Sequence, residues 1–103
     1  MKKLCLTIGH KVGSVEVFDT PAICRAVTTT LGVSAFTAIP CYGMWQGQAE
    51  SSTRIEIVDD DADSYVSKIA ELAWQLNQDA IMVELCNDAN VQFTSAVIPA
   101  LTA

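Results

Sequence analysis

Basic residues and histidine are scarce in this sequence, and each shortage excludes a class of function. Only six Lys and Arg stand against twelve Asp and Glu, for a net charge of −6. Because no basic cluster is present to displace counterions from a phosphate backbone, nucleic acid is not an expected partner. His10 is the single histidine, and no serine or cysteine lies in a nucleophile-elbow context, so a histidine-based triad is excluded.

Closely spaced cysteines and long hydrophobic runs are also missing. The four cysteines lie far apart, at Cys5, Cys24, Cys41 and Cys86. Without a C-x-x-C pair, zinc and thioredoxin-type motifs are absent. The N-terminal apolar run ends at Gly9, too early for a signal peptide, and no run approaches the roughly 20 apolar residues that span a bilayer. We therefore expect a cytoplasmic protein with reduced thiols and no membrane partner.

The apolar residues are abundant and periodic. They make up 50% of the 103 residues, which predicts one packed domain over residues 1–103. Alternation predicts strands at residues 3–9, 34–41, 51–58 and 80–86, with an extra C-terminal edge strand at 91–97. Helical spacing predicts two helices, the first capped by Thr20 and ended by Gly32, the second capped by acids at 59–63 and ending near Asn77.

The order strand-helix-strand-strand-helix-strand predicts an α+β, ferredoxin-like βαββαβ sandwich, with two helices on one face of an antiparallel sheet. Pro40 is expected to end or bulge the second strand, and residues 43–47 to form the turn of a hairpin with a wide connection. The other sheet face is either solvated or covered by a partner subunit. Apolar positions on both strand faces favour the partner.

Three short features have ordinary structural explanations beside their functional ones. His10, in the first loop, is placed for a general base or ligand, but a lone loop histidine is more often simply solvated. Residues 59–63 lack the alternation of an EF-hand, and helix capping explains them better. Residues 9–14 do not match the pattern G-x-x-x-x-G-K-[ST] and are better explained as a plain loop.

The segment 40–53 carries the most chemical information. It places Tyr42, Trp45 and Glu50 around one strand connection that also contains Gly43 and Gly47. Ring faces attract a cation, a carboxylate pairs with an ammonium, and glycines allow close approach to the backbone. The alternative is an ordinary hairpin rim whose aromatic residues pack on a subunit interface.

Three stretches together resemble the bacteriophage S-adenosylmethionine (SAM) lyases, formerly called SAM hydrolases. The first runs from Tyr42 through Glu50 to the strand at 53–57, the second is the helix at 66–75, and the third is the segment 77–83. They cover about the central half of the chain by pattern and order. The connection between Tyr42 and Glu50 is shorter than is typical of that family.

The resemblance implies ferredoxin-like subunits similar to the PII regulatory proteins, assembled as a homotrimer with active sites between subunits. It also implies that the substrate's own carboxylate attacks its γ-carbon, releasing 5′-methylthioadenosine and homoserine lactone. A sulfonium is already a good leaving group, so this reaction needs no metal and no cofactor.

Site residues follow from the same resemblance. Glu50 would hold the substrate's α-ammonium, and Tyr42 would line the site. Gln78 and Asp79 would contact polar groups of the substrate, and we add Trp45 as a lid or stacking surface. Equally ordinary roles exist for two of them, since Gln78 fits a helix C-terminal cap and Asp79 a turn.

Two other function classes stay open at this stage. One is a non-catalytic, PII-like module that binds a small molecule. The other is a phage protein that blocks a host protein by contact, for which the acidic charge is mild support. The chain also resembles small α+β domains that carry a Tyr-Gly-x-Trp hairpin, and this resemblance predicts no function.

Overall fold

A five-stranded antiparallel sheet forms the centre of the molecule. The computed structural model describes residues 1–45, 47–87 and 93–102. The elements are β1 (Lys2–Gly9), β2 (Lys11–Val12), β3 (Val15–Glu16), α1 (Thr20–Leu31), β4 (Thr37–Trp45), β5 (Gln48–Asp59), a 3-10 helix (Ala62–Lys68), α2 (Ile69–Gln75), β6 (Ala80–Cys86) and β7 (Phe93–Pro99). The sheet order is β4-β5-β1-β6-β7, while β2 and β3 form a separate hairpin. This topology confirms the predicted ferredoxin-like fold.

The core lies between the sheet and the two helices. Strand alternation sends Leu4, Leu6 and Ile8 of β1 towards the helices, and all three are fully buried. They pack with further apolar side chains from β5, β6 and the helices, among them Ile23, Val27, Ile55, Ile57, Leu72 and Ile81. Both helices therefore cover one face of the sheet, as predicted, and leave the opposite face open within a single chain.

Helix α1 ends where the sequence predicts but is capped one residue earlier. The carboxylate of Asp19 accepts a hydrogen bond from the Ala22 N–H at 2.9 Å, so Asp19 and not Thr20 is the N-cap. Thr20 instead becomes the first helical residue and its hydroxyl is used elsewhere. Gly32 closes the helix in the left-handed region at φ 73°, and its N–H donates to the Thr28 carbonyl at 3.1 Å.

The hairpin of β4 and β5 is longer and tighter than predicted. The expected turn at 43–47 is wrong, because Gly43 lies within β4 and pairs with Glu50. Among the described residues of the hairpin, Gly47 alone, at φ 79°, has the backbone conformation of a tight turn. Pro40 does not end the strand, since β4 is an edge strand where a missing N–H removes no central ladder bond. The start of β5 extends beyond its pairing with β1, so the hairpin forms a two-stranded arm.

The second helical segment begins as a 3-10 helix and becomes α2 at Ile69. The predicted acidic cap is wrong in detail, because Asp61 at the N-cap makes no side-chain capping bond. Asp59 instead accepts from the N–H of Asp61 at 3.0 Å and forms a turn, while Asp63 pairs with Lys2 at 3.0 Å. Asn77, at φ 52°, reverses the chain after α2.

Strand β7 lies at the edge of the sheet opposite β4 and pairs antiparallel with β6. Ala80 lies opposite Pro99 at one end of this pairing, and Cys86 lies opposite Phe93 at the other. The first two residues of the edge strand predicted at 91–97 lie outside the described residues. None of the helices in the described part of the chain has the length and apolar character needed to cross a bilayer.

Candidate functional site

A polar cleft of about 200 Å³ lies at the end of the sheet where β1 finishes. Three segments meet there: the turn after β1, the start of β5, and the junction between α2 and β6. The residues that line the cleft are Gly9, Lys11, Gly13, Glu50, Asn77, Gln78 and Asp79. Segments far apart in sequence thus bring amide, ammonium and carboxylate groups to one place.

Gln78 joins two walls of this cleft. Its side-chain N–H group donates to the Lys11 carbonyl at 2.8 Å and to the Leu76 carbonyl at 3.3 Å. A Cβ atom at Gly9 would lie 3.3 Å from Oε1 of Gln78, so glycine allows the close approach of this side chain to β1. The backbone N–H of Gln78 donates to the Ala73 carbonyl at 2.9 Å, which fixes the junction after α2.

The charged side chains of the cleft form no ion pairs that would stabilise the fold of the described chain. Lys11, Glu50 and Asp79 make no side-chain ion pair or hydrogen bond with any other described residue. On the open face of the sheet, by contrast, charges are paired, as where Arg54 donates to Glu84 at 3.0 Å. A concave surface that holds one ammonium and two carboxylates without internal partners is suited to a ligand of mixed charge with a net positive sign.

His10 anchors the hairpin that forms one wall of the cleft. The prediction that it is solvated is wrong, since only 7% of it is exposed. Its Nε2 lies 2.7 Å from the Thr53 hydroxyl, which in turn lies 2.8 Å from the Thr20 hydroxyl. Its backbone N–H donates to the Ser51 carbonyl at 3.0 Å, and its carbonyl accepts from the N–H groups of residues 17 and 18. His10 is therefore bound to the core on one side and positions Lys11 on the other.

Three of the five site residues predicted from the sequence lie together in the structure. Glu50, Gln78 and Asp79 line the same cleft. Tyr42 does not line it: its side chain is 79% exposed on the arm, and strand alternation places it on the face opposite Glu50. The side chain of Trp45 lies outside the described part of the structure. Sequence reasoning missed Lys11, which belongs to no motif and enters the cleft only through the fold.

A second charged cluster occupies the centre of the open sheet face. Arg54 donates to Glu56 at 3.2 Å, and Lys3 lies 3.4 Å from the same carboxylate. The hydrogen bond from Arg54 lowers the pKa of Glu56, and burial raises the pKa of the neighbouring Cys5 thiol. Exposed apolar side chains surround this cluster at Ile39, Val58, Met82 and Val97. Among the described residues, no group of three or more His, Cys, Asp or Glu is arranged to hold a metal ion.

The fold and the cleft define a ferredoxin-like α+β protein with a polar recess at one end of its sheet. No protein-family model matches the chain, and no curated protein matches it by sequence. Solved structures do. A phage SAM lyase in its apo state matches with a TM-score of 0.72 at 19% identity, covering 99% of this chain and 91% of that one. A phage SAM lyase in complex with S-methyl-5′-thioadenosine matches with a TM-score of 0.59 at 16% identity, covering 93% and 88%. The chain therefore has the fold of the phage SAM lyases, as the sequence resemblance predicted.

Proposed function

We propose that this protein is a SAM lyase that produces 5′-methylthioadenosine and homoserine lactone. The observation that carries the proposal is the cleft itself: Glu50, Gln78 and Asp79, the residues singled out by resemblance, converge in one recess. The fold adds support, since one structure of the same fold is a phage SAM lyase in complex with S-methyl-5′-thioadenosine. Each carboxylate in the cleft lacks a partner within the described chain and is free to meet a cationic substrate.

The proposed reaction requires the protein mainly to position the reacting groups of the substrate. One oxygen of the substrate carboxylate forms a bond to the γ-carbon, and the bond from that carbon to sulfur breaks with its electron pair moving to sulfur. The sulfonium becomes a neutral thioether and no proton is transferred. Because the carboxylate and the γ-carbon belong to the same molecule, the protein has only to hold them in the conformation in which the carboxylate oxygen lies in line with the breaking bond. A cleft with hydrogen-bonding groups but no nucleophile is sufficient for this step.

In this proposal Glu50 holds the α-ammonium of the substrate and so orients the methionine end. Gln78 is held rigidly by its bonds to the Lys11 and Leu76 carbonyls, which leaves its side-chain oxygen free to accept from the substrate. Asp79 lines the same cleft, and its carboxylate balances the second positive charge of the substrate.

We further propose a homotrimer in which each site is completed by a neighbouring subunit. The cleft of one chain, about 200 Å³, is smaller than the roughly 300 to 1,000 Å³ typical of ligand pockets. Tyr42 lies on the arm, on the face away from its own Glu50, which supports a role for it in a neighbour's cleft rather than in its own. The apolar residues around the charged cluster on the open sheet face provide surface for subunit contact.

The substitution Glu50→Gln tests the proposal. It keeps the size of the side chain but removes the charge that pairs with the ammonium, so we expect SAM turnover to fall by at least about a hundredfold. The matched control is Glu71→Gln, an exposed carboxylate on α2, which should leave turnover unchanged. Size-exclusion chromatography should give the same oligomer for both variants. Full activity of Glu50→Gln would remove Glu50 from the site. Intact SAM recovered from the wild-type protein at high concentration would favour a small-molecule binding module instead.

A further inference from the structure

The cleft contains one cationic side chain that the resemblance does not account for. Lys11 opens strand β2 directly after the anchored His10, and its backbone carbonyl is held by Gln78 at 2.8 Å. The position of its backbone is thus fixed from both sides. Its ammonium pairs with no described carboxylate, although Glu50 and Asp79 line the same recess. A fixed lysine whose ammonium is left without a partner is available to bind a ligand.

A count of charges indicates which ligand group it meets. The proposed substrate carries a sulfonium, an α-ammonium and an α-carboxylate, which are two positive charges and one negative charge. The cleft holds two carboxylates, Glu50 and Asp79, and one ammonium, Lys11. Each charge of the substrate therefore has one opposite partner, and the α-carboxylate has only Lys11 among the described lining residues.

We propose that Lys11 binds the α-carboxylate of the substrate and makes the site specific for an adenosyl sulfonium that carries a complete amino-acid end. This inference rests on the proposed lyase function. A carboxylate has two oxygens, so the ammonium holds one of them while the other attacks the γ-carbon. As the lactone forms, the carboxylate loses its negative charge and its pairing with Lys11 weakens, which favours release of the product.

The backbone and side chain of Lys11 have separable roles. The bond from Gln78 and the pairing of Lys11 with Glu16 across the hairpin both use the main chain. Substitution of the side chain therefore removes the ammonium and leaves the wall of the cleft in place. Lys68, an exposed lysine of the 3-10 helix without an ion pair to a described residue, gives a control with the same change of charge.

The experiment compares two non-reactive ligands by isothermal titration calorimetry on the wild-type oligomer, Lys11→Met, Lys11→Arg and Lys68→Met. S-adenosylhomocysteine has the amino-acid end, and 5′-methylthioadenosine lacks it. For Lys11→Met we expect S-adenosylhomocysteine to bind about tenfold more weakly or worse, the effect of losing a hydrogen bond between charged groups. Binding of 5′-methylthioadenosine should change by less than about twofold, because this ligand has no carboxylate and loses no charged hydrogen bond. Lys11→Arg should recover most of the affinity, and Lys68→Met should behave as wild type.

The outcomes separate this inference from the proposed function. If the wild type binds both ligands and Lys11→Met binds both equally well, Lys11 does not contact the carboxylate and the lyase proposal stands. An equal loss for both ligands also overturns the inference, because it shows damage to the cleft rather than loss of one contact. If the wild type binds neither ligand, the proposed function fails and the role of Lys11 fails with it.

Discussion

The substitution Thr53→Val removes the central hydroxyl of the network that holds the cleft in place. Thr53 is fully buried, and its hydroxyl meets both Nε2 of His10 at 2.7 Å and the Thr20 hydroxyl at 2.8 Å. Valine has nearly the same shape, so no cavity forms. The change replaces only the hydroxyl with a methyl group, which makes it a direct measure of the polar contacts.

The expected cost follows from the partner that is left behind. Every buried side-chain nitrogen and oxygen in the described residues has a hydrogen-bond partner, and Thr53→Val creates a buried ring nitrogen on His10 without one. Such an unsatisfied group costs about 1 to 3 kcal/mol. Thr20 is only partly buried, and its hydroxyl can turn to water. At about 2 kcal/mol, a domain of this size should lose about 10 °C in Tm.

The assay is thermal unfolding followed by circular dichroism at one fixed protein concentration, because in the proposed trimer subunit association would shift Tm by mass action. Thr7→Val is the matched control, since Thr7 lies on the open sheet face and makes no side-chain hydrogen bond with a described residue. Thr53→Val should also raise the KM for SAM more than Thr7→Val does, because His10 positions Lys11. If the Tm of Thr53→Val lies within about 2 °C of wild type, the decrease is far smaller than the loss of about 10 °C expected for an unsatisfied buried nitrogen. That result would show that this network does not stabilise the hairpin.

Two further predictions concern stability away from the cleft. Arg54 lowers the pKa of Glu56 in the folded protein, so the Glu56 carboxyl binds a proton more tightly in the unfolded chain. The ion pair therefore stabilises the fold at neutral pH, and this stabilisation is lost as the pH falls below 4.5, the ordinary pKa of the group. Glu56→Gln should therefore flatten the decline of urea midpoints between neutral and acid pH, and an unchanged slope would contradict this. Gly32→Ala places a Cβ in open space at φ 73°, so it should cost about 1 to 2 kcal/mol by urea denaturation from backbone strain alone, whereas Gly43→Ala, in β4, should cost less. Equal midpoints for the two variants would refute that explanation.

Elements with a strong local pattern were predictable from the sequence. The alternation of Leu4, Leu6 and Ile8 predicts β1 and its buried face, and Gly32 predicts the end of α1. The last central strand, β6, has the bounds expected from its apolar alternation. In these segments the residues that set the local conformation are also those that pack in the core, so local and tertiary preferences agree.

The hairpin arm and the buried histidine were not predictable, for physical reasons. Gly43 and Gly47 look alike in the sequence, yet only Gly47 adopts a positive φ, because pairing between strands decides which glycine lies in the turn. His10 lies in a polar stretch, and its burial depends on Thr53 and Thr20, which are 43 and 10 positions away in the chain. Contacts at such separations leave no local pattern to detect.

The candidate site was predictable only in part. Glu50, Gln78 and Asp79 came from resemblance, and the fold brings them into one cleft. Lys11 carries no motif, so its place in the cleft depends on the turn after β1 and on the bond from Gln78. Tyr42 was expected in the same site from the resemblance, but strand alternation places Tyr42 and Glu50 on opposite faces of the hairpin.

Analysis of the reaction products shows whether this protein cleaves SAM. The purified wild-type protein is incubated with SAM, and the products are identified by mass spectrometry beside a sample of the Glu50→Gln variant. We expect 5′-methylthioadenosine and homoserine lactone in equal amounts from the wild type and almost none from the variant. SAM recovered intact from the wild type at high protein concentration would contradict the proposed function.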